Sequence, residues 1–174
     1  PEGLAIGARR ITISTCGWVP GIERLKGEGL QIELSVSLHA PEDALRDRLM
    51  PVNRRYPLTT LMAACADYTA ATGRIVTFEY TLVGGLNDSR AQAQAVARRV
   101  RPLGGRVNLI PLSPVEEFEG AAPDPDRVAA FQAVLEAAGV NTTVRRSKGS
   151  EISAACGQLR RRLAGAAWDA GPVS

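Results

Sequence analysis

The chain has 174 residues, 45% apolar and 22% charged, the balance of one globular domain of ordinary size. No apolar run approaches the roughly 18 residues of a membrane span, and no internal repeat stands out at solenoid periods. The net charge of +3 is uneven: Arg145, Arg146, Lys148, Arg160, Arg161 and Arg162 crowd the stretch 141–163 against a single acid, Glu151. Such a segment suits a polyanion such as RNA, or forms a solvated face. With 5% aromatic residues, the chain is not a pure base-stacking platform. Its cysteines, Cys16, Cys65 and Cys156, lie far apart with no C-x-x-C pair. That argues against a disulfide framework and against any zinc or iron–sulfur site made within this chain, and makes a reducing cytoplasm the simplest home.

In chain order, residues 10–15 alternate β-branched and polar side chains and read as a strand ending near Cys16-Gly17. Residues 20–26 make one or two helical turns, and 31–38 form a second strand that runs into His39. Pro41 is expected to open a short helix that Pro51 stops. Leu61, Ala64, Cys65 and Tyr68 follow the spacing of a buried helical face that Gly73 ends, which puts Cys65 in the core. Residues 75–83 form a third strand, after which Gly84-Gly85 turns the chain and Asn87 or Asp88 is expected to cap a helix. Its buried face is Ala93, Val96, Ala97 and Val100, and Gly104-Gly105 close it. Residues 106–111 form a fourth strand and 112–123 a loop. Asp124 and Pro125 start a helix with the stripe Val128, Phe131 and Leu135. Residues 140–146 form a short fifth strand, 152–163 a last helix, and 164–174 a fraying tail. A strand within ten residues of Pro1 suggests a piece of a longer protein.

Alternation of strands and helices predicts an α/β fold with a mostly parallel sheet and crossover helices. Ligands bind such sheets at the carboxyl ends of the strands. Those ends offer Ser14-Thr15, Ser37-Leu38-His39, Glu79-Tyr80-Thr81 and Pro111-Leu112-Ser113. Hydroxyls and one neutral imidazole on a common rim suit a polar small molecule carrying a nucleoside or amino-acid moiety, although Ser and Thr at strand ends also satisfy local backbone groups. No serine–histidine–acid arrangement and no glycine-rich nucleotide fingerprint is present. Cys156 sits among small residues that leave room at the sulfur, between a basic turn and three arginines that favour thiolate. The competing reading is a small buried hydrophobe.

Seven motifs then occur in one order: I-T-I-S-T-C-G at 11–17, S-V-S-L-H-A-P at 35–41, R-L-M-P-V-N at 48–53, F-E-Y at 78–80, N-L-I-P at 108–111, V-R-R-S-K-G at 144–149 and I-S-A-A-C-G-Q-L at 152–159. With them the chain resembles the carboxyl-terminal portion of the radical-SAM RNA adenine methyltransferases, the RlmN/Cfr group. The resemblance implies the later strands and helices of a partial (β/α) radical-SAM barrel over residues 1–163. It implies methylation of C2 of an adenine in 23S rRNA, some members also acting on tRNA. Ser14, Ser37, Leu38 and His39 match residues that hold S-adenosylmethionine, and Ser113 falls where the family usually has asparagine, a longer side chain with more donors. Cys156 matches the cysteine that is methylated and passes its carbon to the base. The family's [4Fe–4S] cluster loop, which takes electrons from a donor, its second cysteine, its general-base glutamate and its glycine-rich cofactor strand would all lie upstream. This chain alone is therefore expected to lack methyltransferase activity, and residues 10–15 to present an open sheet edge. Two other readings are a basic RNA- or nucleotide-binding module without catalysis and a C8-methylating relative.

Overall fold

The structure is a computed structural model that describes residues 7–113 and 120–145. Five strands form one sheet in sequential order: β1 Thr12–Thr15, β2 Glu33–Ser37, β3 Val76–Leu82, β4 Arg106–Pro111 and β5 Asn141–Val144. Every neighbouring pair is parallel. The crossovers are α1 Val19–Gly27, the pair α2 Asp43–Leu49 and α3 Leu58–Thr72, then α4 Arg90–Val100 and α5 Pro125–Ala137. No described helix is long and apolar enough to cross a membrane.

The sheet period places alternate residues on opposite faces, and the two faces have opposite character. Leu34, Val36, Val76, Phe78, Tyr80, Leu82, Val107 and Leu109 share one face and form a single core with residues of the helices. The register aligns the other positions into polar rows. Ser14, Ser35, Thr77, Arg106 and Asn141 are successive partners, as are Ser37, Glu79, Asn108 and Thr143. None of these joins the core: Ser35 is buried, and the others are half-buried or exposed, so among the described residues this second face is polar and open.

Helix ends follow from local chemistry. α3 stops at Gly73, whose φ of 68° is left-handed and costs a glycine little. The Tyr68 hydroxyl on α3 donates to Ile32 O at 2.7 Å, which fixes the helix to the approach of β2. Asp124 caps α5 by accepting from Asp126 N at 2.8 Å, with Pro125 at the first helical position, as expected. Two expectations fail. α2 begins at Asp43, two residues beyond Pro41. The cap of α4 is Ser89, in a reciprocal capping box with Gln92, and Asn87 and Asp88 do other work. β1 is an edge strand, and Ile11 and Ile13 there stay 37% and 38% exposed. Residues 146–174, with Cys156, the last helix and the tail, lie outside the described residues.

Candidate functional site

The carboxyl ends of β1, β2 and β3 are held from behind by two side chains. Arg46, on α2, is fully buried. Its Nε donates to Leu38 O at 3.0 Å, and its Nη2 to Cys16 O and Ser37 O at 2.8 Å each. Its Nη1 donates to Asn53 Oδ1 at 2.9 Å, and Asn53 Nδ2 donates onward to Asp43 and Asp47 at 2.9 and 2.7 Å. Burial lowers the guanidinium pKa from its ordinary value, and Asp43 and Asp47 are among the groups that pull it back up. A planar fork of five donors is what allows one residue to gather three carbonyls.

Asn87 does the same one strand over. Its Nδ2 donates to His39 O at 2.8 Å and Thr81 O at 2.7 Å, and its Oδ1 accepts from Val83 N at 2.7 Å. The Tyr80 hydroxyl donates to Asn87 O at 2.9 Å.

Between these anchors lies His39, the only non-glycine residue with positive φ (55°) among the described residues. Such a backbone is uncommon outside glycine, and here the Asn87 bond to its carbonyl holds it. Thr81 N donates to Nδ1 at 3.0 Å. That nitrogen is therefore the acceptor, and the neutral ring carries its proton on Nε2. Burial, followed by the Arg46 charge, pulls the imidazole pKa down to about 4. At neutral pH His39 is an uncharged hydrogen-bond donor.

Ser14 is exposed on β1, and Ser37 is half-buried at the last position of β2. Both project from the open face. Ser113 is half-buried two residues past β4. Leu38 differs from them: it is 0% exposed in the core, its N–H donates to Glu79 O at 2.9 Å and its carbonyl is taken by Arg46. Thr15 and Tyr80 also leave the rim. Thr15 Oγ1 accepts from Gly17 N and Trp18 N at 3.2 Å each, and Tyr80 packs against Phe131 with ring centroids 5.2 Å apart. Cys65 is buried in the core, and burial pushes its thiol up to about 12. Arg46 and Asn87 were not found as scaffold residues from sequence. Their partners are mostly main-chain groups, which leave no trace in side-chain periodicity.

Comparison with known proteins identifies the company this chain keeps. No family model matches it. It is 54% identical over 165 residues, 94% of its length and 45% of the relative's, to a probable dual-specificity RNA methyltransferase RlmN of Pelotomaculum thermopropionicum. A relative of the same name in Desulforudis audaxviator is 54% identical over 93% of this chain and 51% of its own. A crystal structure of a radical SAM methyltransferase from Sphaerobacter thermophilus superposes with a TM-score of 0.86 at 54% identity, over 90% of this chain and 46% of that one. A domain of pyruvate-formate lyase-activating enzyme from Bacteroides vulgatus shares the fold alone, with a TM-score of 0.61 at 13% identity over 78% of this chain and 80% of that one. The chain spans about half the length of the curated relatives it matches. The polar strand ends on a parallel half-barrel, together with this identity over nearly all of its residues, place the chain in the RlmN family of radical SAM methyltransferases.

Proposed function

We propose that this chain is part of an RNA methyltransferase that uses S-adenosylmethionine to methylate C2 of an adenine in 23S rRNA and also acts on tRNA. The observation that carries the proposal is the open polar face, lined at its carboxyl end by Ser37 and a neutral His39, in a chain so similar to named RNA methyltransferases. Ser14, Ser37, His39 and Ser113 would hold the cofactor there by hydroxyl groups and the Nε2 proton. Leu38, with its side chain in the core and its N–H and carbonyl engaged, would serve the cofactor only by fixing Ser37 and His39 on either side of it. S-Adenosylmethionine, when bound, supplies an activated methyl group. Cys156 is the residue assigned to carry that methyl to the base, because covalent transfer divides a step that a poorly nucleophilic ring carbon cannot make directly.

The family's [4Fe–4S] cluster does not fit the described residues. No group of three or more His, Cys, Asp or Glu side chains among them could hold a metal, Cys65 is buried and Cys16 is exposed, and the sequence has no C-x-x-x-C-x-x-C. Cluster and electron donor would be served by residues outside this sequence, and no turnover is expected from these 174 residues alone. The upstream part would pair with the β1 edge. There a cavity of about 340 Å³ is lined by Ile13, Ser14, Trp18, Ile22 and Leu25, with Trp18 53% exposed. The cytoplasm is the compartment that suits such chemistry.

The rival reading, an RNA-binding module without catalysis, is favoured by the missing cluster ligands. Cys156→Ala in the complete protein separates the two. Transfer of labelled methyl from S-adenosylmethionine to 23S rRNA should vanish while RNA affinity stays within about twofold, a difference of under 1 kcal/mol. Undiminished transfer would refute the assigned carrier. Digestion of the product to nucleosides distinguishes C2 from C8 methylation.

A further inference from the structure

On the helix side of the fold, away from the polar strand ends, a groove of about 1010 Å³ runs between α4 and α5. One wall is small: Ala130, Ala133, Val134 and Ala137 recur on one face of α5 at helical spacing. The other carries Arg90, Arg98 and Arg101 from α4 and the turn after it, with Gln94 between. All three arginines are exposed, and none forms a salt bridge among the described residues. Their neighbour Arg99 turns the other way and donates to Pro41 O at 2.6 Å. From Ser89 to Leu112 the sequence contains Arg90, Arg98, Arg99, Arg101 and Arg106 and no acid. No acidic side chain lines the groove.

We infer that this groove is a docking surface for the sugar-phosphate backbone of the RNA substrate, remote from the reacting base. The inference rests on the functional reading above and adds to it a surface and the residues that act there. Charge complementarity selects the occupant. Three guanidinium groups spaced along about 16 Å of helix (11 residues at 1.5 Å each) match a row of phosphates, and arginine forks recognise phosphate oxygens bidentately. Alanines opposite leave width for a ribose-phosphate chain and offer nothing that reads a base edge. The contact would thus position RNA without specifying its sequence. It is also separate in sequence from the basic stretch 141–163.

The test uses the complete protein and the triple variant Arg90→Gln, Arg98→Gln, Arg101→Gln. Binding of a 23S rRNA transcript is measured across a salt series. The expected result is a loss of affinity on the order of 10- to 100-fold at low salt. The dependence of log K on log salt should become shallower by about 2, from roughly 0.7 per phosphate contact. S-Adenosylmethionine affinity and the urea midpoint should stay unchanged, and the matching Arg→Lys triple should keep most of the salt slope. Unchanged RNA affinity and slope in a parent that binds RNA would overturn the groove and leave the functional reading standing. Loss of binding to polyglutamate with RNA binding intact would overturn it in favour of an acidic protein partner. A parent protein that binds no RNA would overturn both the functional reading and the groove.

Discussion

Removing Arg46 should weaken the fold and the site together. Its guanidinium makes four hydrogen bonds, three of them to the carbonyls of Cys16, Ser37 and Leu38. Bonds from a charged donor contribute about 1.5–3 kcal/mol each, so the four are worth about 6 kcal/mol or more in gross terms. Burying the cation costs several kcal/mol in return. Arg46→Met removes that cost, but it takes the side-chain donor from the carbonyls of Cys16 and Ser37 and leaves Leu38 O only the Ala40 N–H at 2.7 Å. It also leaves Asp43 and Asp47 on Asn53 without the charge they face. The net loss should be about 3 kcal/mol, a large share of the roughly 5–15 kcal/mol of a whole domain. For a domain of this size that lowers Tm by about 6–12 °C. Arg46→Lys should recover only part of the loss, because an ammonium has three donors at a single point and cannot reach carbonyls on two strands and Asn53 at once. Circular dichroism in urea and on heating reads stability, and calorimetric titration reads S-adenosylmethionine affinity. Since the bonded carbonyls flank Ser37 and His39, affinity should fall as well. Arg46→Met within about 1 kcal/mol of the parent, with unchanged cofactor affinity, would refute the argument.

His39 should make stability depend on pH. The unfolded imidazole titrates near its ordinary 6.5 and the folded one at about 4. In that window the unfolded chain binds more protons, so stability is complete above pH 6.5 and is lost as pH falls towards 4. The full shift corresponds to at most about 3 kcal/mol, and His39→Asn, which tolerates the left-handed backbone, should flatten the urea midpoint across that window. An unaltered pH slope would rule His39 out as the source. Asn87→Asp places a carboxylate oxygen against the carbonyls of His39 and Thr81 in place of an amide donor. It should cost about 2–4 kcal/mol in urea denaturation, whereas a change under 1 kcal/mol would show that those bonds are not the anchor. Ser89→Ala removes the α4 cap and should cost about 1 kcal/mol. Equal loss on Asp88→Ala and none on Ser89→Ala would restore the cap to the residue first expected.

β2, β3 and β4 were readable because each carries a buried apolar register. Val76, Phe78, Tyr80 and Leu82 are all buried on β3, while Thr77, Glu79 and Thr81 are half-buried between them. The same parity should have removed Tyr80 from the rim, since it falls in step with Phe78. The α4 cap was readable too, because Ser89 and Gln92 stand at capping-box spacing. Asn87 attracted the assignment because asparagine favours caps and loop braces for one reason, a short amide that hydrogen-bonds nearby backbone. Arg46 could not be found this way. A charged residue within the pattern D-A-L-R-D-R-L reads as a solvated position, and only the closure of β1 and β2 above it creates the carbonyls it serves.

The bracing of the strand ends also bears on what the open face can hold. Binding sites for phosphate groups use backbone N–H donors that point into solvent. Here Leu38 N and His39 N both donate to Glu79 O, Thr81 N donates to His39 Nδ1 and Gly85 N donates to Asp88 Oδ1. The backbone around His39 is spent on the fold, so a ligand meets side chains: the Ser37 hydroxyl, the neutral imidazole donor and the Glu79 carboxylate beside Ser37 in the register. Among the described residues at this end of the face, one carboxylate beside uncharged partners suits a cation with hydroxyl groups better than a phosphate. A sulfonium nucleoside bearing an ammonium group, the cofactor proposed above, has that chemistry.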